Sequence, residues 1–170
     1  MTIEEIKIAN ATYRRSGSSV FDKNGNVRSV VTRYVENHVN KCKKILDYGC
    51  GSEFIQGNYL RQQGFDVDGW DIGVNKPKDC VRELRQIYDV VYASNVLNVI
   101  SSESMLIETL DQIYNCLKPY GLFISNYPAA PRKMDIDVRL LEDVIQGKFG
   151  GAIQMVGGTK SAPIWCIVKL

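Results

Sequence analysis

The stretch Ile45-Leu46-Asp47-Tyr48-Gly49-Cys50-Gly51 decides the fold of this chain. Its apolar residues predict a buried strand that ends near an acid, and its two glycines predict a tight turn. A segment of helical pattern then ends at Gly64, and residues 66–71 predict a second strand that ends at Asp71. A βαβ unit with a glycine-rich first turn binds nucleotide-like ligands at the carboxyl ends of its strands, so this stretch predicts such a ligand.

Length and composition indicate one ordinary globular domain. The chain has 170 residues, of which 45% are hydrophobic and 24% are charged. We therefore expect a single domain over residues 1–170, in which the polar and turn-rich residues 1–27 form either a flap over the site or a loose terminal arm. The net charge of +2 does not by itself indicate nucleic acid. The sequence shows no apolar run of about 18 residues and no signal peptide, so we expect a cytoplasmic protein.

The cysteines predict neither a zinc site nor cysteine–histidine catalysis. There are five of them, at positions 42, 50, 80, 116 and 166, without a CxxC pair, and His38 is the single histidine. Free thiols in a reducing compartment are the expected state.

Apolar periodicity predicts that strands alternate with helices through most of the chain. Residues 72–88 are only 17 in number, so we expect a short helix at 79–86 and a third strand that is short or missing. Two consecutive strands close the chain around a turn at 157–161. The expected fold is an α/β, Rossmann-like, mostly parallel sheet with helices on both faces and a C-terminal antiparallel hairpin. The other predicted elements are helices at 27–39, from a Ser101 or Ser102 cap to 116, and at 136–146, strands at 89–94, 122–125, 151–156 and 164–168, and a turn at 118–121.

The residues around the glycine turn narrow the choice of ligand. A dinucleotide fingerprint would place a third glycine at position 54, where this chain has Phe54. The carboxylate of Asp47 would repel a phosphate and attract an ammonium group. Asp71 can accept two hydrogen bonds from ribose hydroxyls. These features favour a nucleoside that carries an amino group and no phosphate, and S-adenosylmethionine is such a ligand.

Four segments resemble class I S-adenosylmethionine-dependent methyltransferases, over about residues 27–170. Residues 45–51 resemble the first motif of that family, and Asp71 matches its ribose-binding acid. Residues 88–97 are similar to its fourth-strand motif. Residues 117–122 resemble the turn before its fifth strand, with Tyr120 where the family often has glycine. The run 95–100 resembles small methyltransferases of phages and of DNA-modification gene neighbourhoods.

The resemblance implies a role for each matching position. Asp47, Gly49, Cys50 and Gly51 would hold the methionine end of the cofactor, and Asp71 would hold its ribose. Ile72 would pack on the adenine, and Ser94 and Asn95 would lie beside the methyl group that is transferred. Asn95 and Tyr127 are the candidate catalytic residues. Glu53 stands where many members have a third glycine.

Simpler structural interpretations exist for three of these features. The glycines could form only a tight turn, Asp71 could cap a helix, and Asn95 and Asn98 could cap the helix that follows them. Asp89, at the start of its strand, is expected to be structural.

The sequence is compatible with a methyl acceptor that is either a nucleic acid or a small molecule. The proline-containing motif of adenine-N6 and cytosine-N4 DNA methyltransferases is absent after the fourth strand, and the chain has no Pro-Cys nucleophile. A basic surface for nucleic acid would need Arg14, Arg15, Arg132, Lys133 and Lys160 to converge on the ligand edge. The alternatives are a binding protein without methyl transfer, an enzyme that degrades the cofactor, and, more distantly, an NAD-dependent reductase.

Overall fold

A computed structural model describes residues 1–8, 21–23, 25, 27, 29–73, 80–126, 138–159 and 162–170. Within these ranges the helices are α1 (residues 3–8), α2 (Val30–His38), α3 (Ile55–Gln62), α4 (Glu103–Cys116) and α5 (Val138–Phe149), with a 3-10 turn at Leu97–Val99. The strands are β1 (Lys44–Tyr48), β2 (Asp66–Trp70), β3 (Tyr88–Ala93), β4 (Leu117–Asn126), β5 (Gln154–Thr159) and β6 (Ala162–Val168).

The six described strands form one sheet in the order β2-β1-β3-β4-β6-β5. The first four in this order run parallel, and β6 and β5 are antiparallel additions at one edge. One face packs against α4 and α5 through residues such as Leu110 and Ile145, and the other packs against α2 and α3 through residues such as Val35 and Leu60. The predicted parallel sheet, helices on both faces and C-terminal hairpin are therefore confirmed.

The third strand of the predicted pattern is reduced to one bridge in the described residues. Cys80 pairs with Gly69 of β2, and residues 81–87 are not helical, so the predicted helix at 79–86 is wrong over 80–86. From Cys80 the chain must cross the sheet to the far end of β3, a distance on the order of 20 Å. A helix of the available length would advance only about 10 Å, so the segment must be extended.

The predicted turn at 118–121 is instead a bulge within the continuous strand β4. The pairing register with β3 shifts between Tyr88 and Val90, and Tyr120 takes up the left-handed conformation with φ 60°. Backbone hydrogen bonds connect this bulge to Lys169 in both directions, and they keep the bulge in the sheet. The left-handed backbone explains why glycine would suit position 120.

Local capping signals set the starts of three helices. The predicted Ser102 cap of α4 is confirmed, since its Oγ accepts from the backbone N–H of Met105 at 3.1 Å. Thr2 and Glu5 exchange hydrogen bonds as a capping box at the start of α1. Ser29 caps α2, so that helix begins at Val30 and not at the predicted residue 27.

The remaining boundaries differ at the C-terminal end. β5 begins at Gln154 and continues through Thr159, so the first part of the predicted turn at 157–161 is strand, with a register shift between Met155 and Gly157. α5 extends three residues beyond its predicted end, to Phe149, whose side chain is buried against Phe123. No helix in the described residues is long and apolar enough to cross a membrane.

Candidate active site

Three loops meet at the carboxyl edge of the parallel strands. They follow β1 at residues 49–54, β2 at residues 71–73 and β3 at residues 94–96. Because parallel strands end at the same edge, the predicted cofactor residues on these loops come together there. Most of those residues are half-buried at this edge, and Asn95 is exposed.

The glycine turn closes tightly onto the end of β2. The backbone N–H groups of Gly49 and Cys50 both donate to the Trp70 carbonyl, at 2.7 and 3.1 Å. Gly49 and Gly51 have φ of 77° and 72°, a conformation that strongly favours glycine. A Cβ at position 49 would also lie 2.4 Å from Val96 Cγ2, so the loop after β3 occupies the space beside this glycine.

Asp71 ties the second loop to the glycine turn. Its Oδ2 accepts from the Gly51 N–H at 2.8 Å, and its Oδ1 accepts from the Gly73 N–H at 2.6 Å. Residues 72 and 73 are not helical, so Asp71 does not cap a helix there. A carboxylate accepts about four hydrogen bonds, so Asp71 retains capacity for two ribose hydroxyls.

Asp47 is the one fully buried carboxyl group at this edge among the described residues, with 1% of its surface exposed. Burial raises the pKa of Asp47 to about 7; the nearby Tyr92 hydroxyl and Gly57 backbone lower it, and the Asp71 charge raises it. Tyr92 makes no hydrogen bond of normal geometry to it, and Oδ2 of Asp47 has no hydrogen-bond partner in the described part of the chain. A cation bound nearby would favour the charged form of this buried carboxyl group and lower its pKa.

Phe54 lies away from the ligand edge. Its side chain is 1% exposed, and its ring fills the space beside Gly57 and Gly69, below the Arg61 guanidinium at 4.7 Å. The residue itself is left-handed, with φ 49°. The ring therefore does not obstruct a ligand, and the predicted exclusion of a pyrophosphate does not follow from its bulk.

Ser94 belongs to a polar network that the sequence did not predict. Its Oγ lies 2.8 Å from the Oγ of Ser29, which also accepts from the Thr32 backbone N–H at 3.1 Å. The Thr32 hydroxyl in turn lies 2.6 Å from Oε1 of Gln56 on α3. The serine at the start of α2 is visible in the sequence as a helix cap, but its partner in the loop after β3 is not. This network connects α2 and α3 to the loop beside the predicted methyl position.

Asn95 is held by Asn126 at the end of β4. The Asn95 backbone N–H donates to Asn126 Oδ1 at 2.8 Å, and Asn126 Nδ2 donates to Asn95 Oδ1 at 2.8 Å. A backbone N–H can only donate, so it fixes the orientation of the Asn126 amide, and that amide in turn fixes Asn95. The Asn95 Nδ2 makes no hydrogen bond to a described residue, while φ of 59° turns its backbone into the left-handed region.

The helix-cap interpretation of Asn95 and Asn98 is wrong. Ser102 caps α4, and the 3-10 turn at Leu97–Val99 has no side-chain cap. Asn98 Oδ1 is buried without a hydrogen-bond partner among the described residues. Asp89 is structural as expected, because it lies at the opposite edge, where it accepts from the Lys44 N–H at 2.9 Å and pairs with Lys118 at 3.0 Å.

The other predicted site residues divide into two groups. The Cys50 thiol contacts the Cys80 thiol at 3.2 Å, and Ile72 is half-buried directly after Asp71. The remaining predictions lie outside the described residues, and they concern Tyr127, Arg14, Arg15, Arg132, Lys133 and Lys160. The described residues contain no cluster of three or more His, Cys, Asp or Glu side chains that could hold a metal ion.

Solved structures of methyltransferases share this fold. A TehB-like SAM-dependent methyltransferase from Corynebacterium glutamicum aligns with a TM-score of 0.63 at 17% identity, over 99% of this chain and 100% of that one. A 1,6-didemethyltoxoflavin-N1-methyltransferase from Burkholderia thailandensis, solved with 1,6-didemethyltoxoflavin and S-adenosylhomocysteine, gives 0.65 at 15% identity, over 98% and 89% of the two chains. A SAM-dependent methyltransferase from Bacteroides fragilis, solved with S-adenosylhomocysteine, gives 0.64 at 14% identity, over 98% and 94%.

The sequence itself shows the family. A profile of the methyltransferase domain matches residues 21–152, which is more than half of the chain. No curated protein matches the chain significantly. Fold and sequence together define an enzyme of the Rossmann-like methyltransferase class. The chain belongs to the methyltransferase-domain family.

The buried Asp47 predicts a pH dependence of stability. Its pKa rises from 3.8 to about 7 on folding, so the native state holds a proton that the unfolded chain releases in that window. The free energy of unfolding should therefore fall as pH rises through the window and level off above it. Asp47→Asn should remove this fall. Its free energy of unfolding, relative to that of the wild type, should therefore increase by about 2–3 kcal/mol between pH 5 and pH 8.

Urea denaturation of both proteins across this pH range measures the difference. Asp66→Asn, on the exposed amino end of β2, is the matched control and should follow the wild-type profile. Parallel profiles for the wild type and Asp47→Asn would show that Asp47 is already ionised in the native protein.

Proposed function

We propose that this protein transfers the methyl group of S-adenosylmethionine to an acceptor by in-line displacement. The observation that carries the proposal is the Asp71 carboxylate, which is fixed beside the glycine turn by its hydrogen bond from Gly51 at 2.8 Å. An acid in this position can bind a ribose while the turn accommodates the rest of the ligand. The two neighbours solved with S-adenosylhomocysteine support the same choice of cofactor.

The residues at the edge fit this cofactor in charge and in shape. Asp47 supplies a buried acidic oxygen without a hydrogen-bond partner among the described residues, which suits a ligand that carries an ammonium and a sulfonium group. Gly49 and Gly51 both take up the left-handed backbone conformation, which turns the chain sharply at the ligand edge. Asp71 has free acceptor capacity for the ribose hydroxyls.

When bound, the cofactor supplies a methyl group on a positively charged sulfur, which is already a strong methyl donor. The chain has only to align the reacting groups and exclude water. In the proposed arrangement Asp47, Gly49, Cys50 and Gly51 surround the methionine end. Asp71 binds the ribose and Ile72 packs on the adenine, while Ser94 and Asn95 border the methyl group.

The orientation of the Asn95 amide indicates which atoms the methyl acceptor would present to it. Because its Oδ1 already accepts from Asn126, the amide presents mainly the two N–H groups of its Nδ2. Those groups would bind an oxygen or an unprotonated ring nitrogen of the acceptor and so orient it toward the methyl group. Tyr127, which follows β4, would be the second contact. Asp47 is too deeply buried to take a proton from the acceptor, so any general base must be another group.

Nucleic acid and small molecules both offer such oxygen and nitrogen atoms. Nucleic acid would require the basic residues Arg14, Arg15, Arg132, Lys133 and Lys160 at this edge, and the resemblance to phage and DNA-modification enzymes favours this acceptor. A small molecule would require only the flap over the site.

Asp71 is expected to bind the cofactor ribose directly, and a comparison of two ligands isolates that contact. Asp71→Asn should weaken S-adenosylhomocysteine binding about 10- to 100-fold, the effect of losing a charge-assisted hydrogen bond. An analogue without ribose hydroxyls should bind the wild type weakly and lose little further affinity in the variant. Isothermal titration measures all four affinities.

Asp66→Asn, at the start of the strand that Asp71 follows, is the control and should bind both ligands as the wild type does. Equal losses for the two ligands would mean that Asp71 acts only by holding the glycine turn. An unchanged affinity would overturn the ribose assignment, and a wild type that binds neither ligand would overturn the proposed function.

A screen with methyl-labelled S-adenosylmethionine identifies the acceptor class. The label should enter a nucleic-acid or metabolite pool, and Asp71→Asn should lower the rate of transfer about 10- to 100-fold under subsaturating cofactor. Incubation without any acceptor should leave the cofactor intact. Cofactor breakdown in that control, with no methylated product in any pool, would favour the cofactor-degrading alternative.

A further inference from the structure

Two thiols meet beside the proposed cofactor site. Cys50 lies between Gly49 and Gly51 in the glycine turn, and Cys80 lies in the bridge that replaces the third strand. Their sulfur atoms are 3.2 Å apart, although the residues are 30 positions apart in the sequence. Both cysteines are in the free thiol state. No other contact between two cysteine sulfurs occurs in the described residues.

We propose that Cys50 and Cys80 form a modification site for oxidants of the hydroperoxide class, which join the two sulfurs in a disulfide and thereby weaken cofactor binding. The formation of the disulfide is independent of the proposed function. Its effect on the cofactor rests on that function.

The chemistry needs only the two thiols and one peroxide. Cys50 is half-buried, whereas Cys80 is buried, so the oxidant meets Cys50 first. The Cys50 sulfur takes the terminal peroxide oxygen as the O–O bond breaks, which gives a sulfenic acid and releases water from hydrogen peroxide or an alcohol from an organic hydroperoxide. The Cys80 sulfur then displaces water from the sulfenic acid and forms the S–S bond. Each thiol loses its hydrogen, and the two electrons end on the peroxide oxygens.

The environment of the two thiols limits the rate of their oxidation. Burial raises the pKa of the Cys50 thiol, and the nearby carboxyl groups of Asp47 and Asp71 reinforce the effect. Burial also raises the pKa of the Cys80 thiol. Thiolate is therefore scarce at neutral pH, and the pair should respond to sustained oxidant and not to brief exposure.

The cross-link must distort the glycine turn. A disulfide holds its sulfurs about 2 Å apart, so they must approach by about 1 Å. Cys80 has little freedom, because its backbone pairs with Gly69 and the next residue, Val81, donates its N–H to the Gly69 carbonyl at 2.9 Å. The turn must move instead, toward Cys80 and away from its packing against Val96. That movement changes the position of Gly51 and its hydrogen bond to Asp71.

The test uses the full chain with Cys42→Ser, because Cys42 is the exposed thiol that would otherwise react. Hydrogen peroxide should lower the mass by two hydrogens, and peptide mapping without reductant should recover residues 50 and 80 in one cross-linked species. Titration with S-adenosylhomocysteine should then show about tenfold weaker binding, the effect of losing about one hydrogen bond. Dithiothreitol should restore both the mass and the affinity.

Cys80→Ala in the same background is the matched control. It should bind S-adenosylhomocysteine like the reduced parent, form no internal disulfide and keep its affinity under mild oxidation. Separate sulfinic acids, or a disulfide with another cysteine, would overturn the assignment of the pair. A Cys50–Cys80 disulfide with unchanged affinity would overturn the regulatory effect. If the reduced protein does not bind S-adenosylhomocysteine, the proposed function fails, while the mass and mapping data still decide the disulfide.

Discussion

The hydrogen bond from the Gly51 N–H to Asp71 Oδ2, at 2.8 Å, is the contact on which the site depends. It joins the loop after β1 to the loop after β2, and the two bonds onto the Trp70 carbonyl hold the same turn from its other end. The turn can donate these hydrogen bonds because both of its glycines are left-handed. One carboxylate therefore closes the turn and remains available to a ligand, so the local fold and the proposed ribose contact depend on the same residue.

The charges at this edge determine which ligands it prefers. The Asp71 carboxylate makes the edge unfavourable for a phosphate and favourable for a cation, and the buried Asp47, whose pKa is about 7, can ionise when a cation binds beside it. The ligand preference therefore rests on charge rather than on the size of Phe54, whose ring is packed into the core. The third loop contributes a different chemistry, because Asn126 orients the Asn95 amide so that it offers hydrogen-bond donors.

Most of the architecture follows from patterns that the sequence displays directly. The buried run at residues 89–94 and the cap at Ser102 are strong local signals, so that strand, to within one residue, and the start of α4 were predicted correctly. Residues 80–86 were predicted wrongly, because the need to cross the sheet overrides local helical preference. The bulge at Tyr120 depends on pairing with Lys169 at the far end of the chain. The partners of the site residues, such as Ser29 for Ser94 and Asn126 for Asn95, are likewise invisible until distant segments are folded together.

The central claim is that the cofactor binds at the carboxyl edge of β1, β2 and β3, between the glycine turn and the loop after β3. Nuclear magnetic resonance of the ¹⁵N-labelled protein, titrated with S-adenosylhomocysteine, tests this claim most directly. We expect saturable shifts of the Gly49, Gly51 and Asn95 amide signals, while the signals of Asp89 and Lys118 at the opposite edge stay in place. Shifts confined to the opposite edge, or no shifts at millimolar ligand, would contradict it.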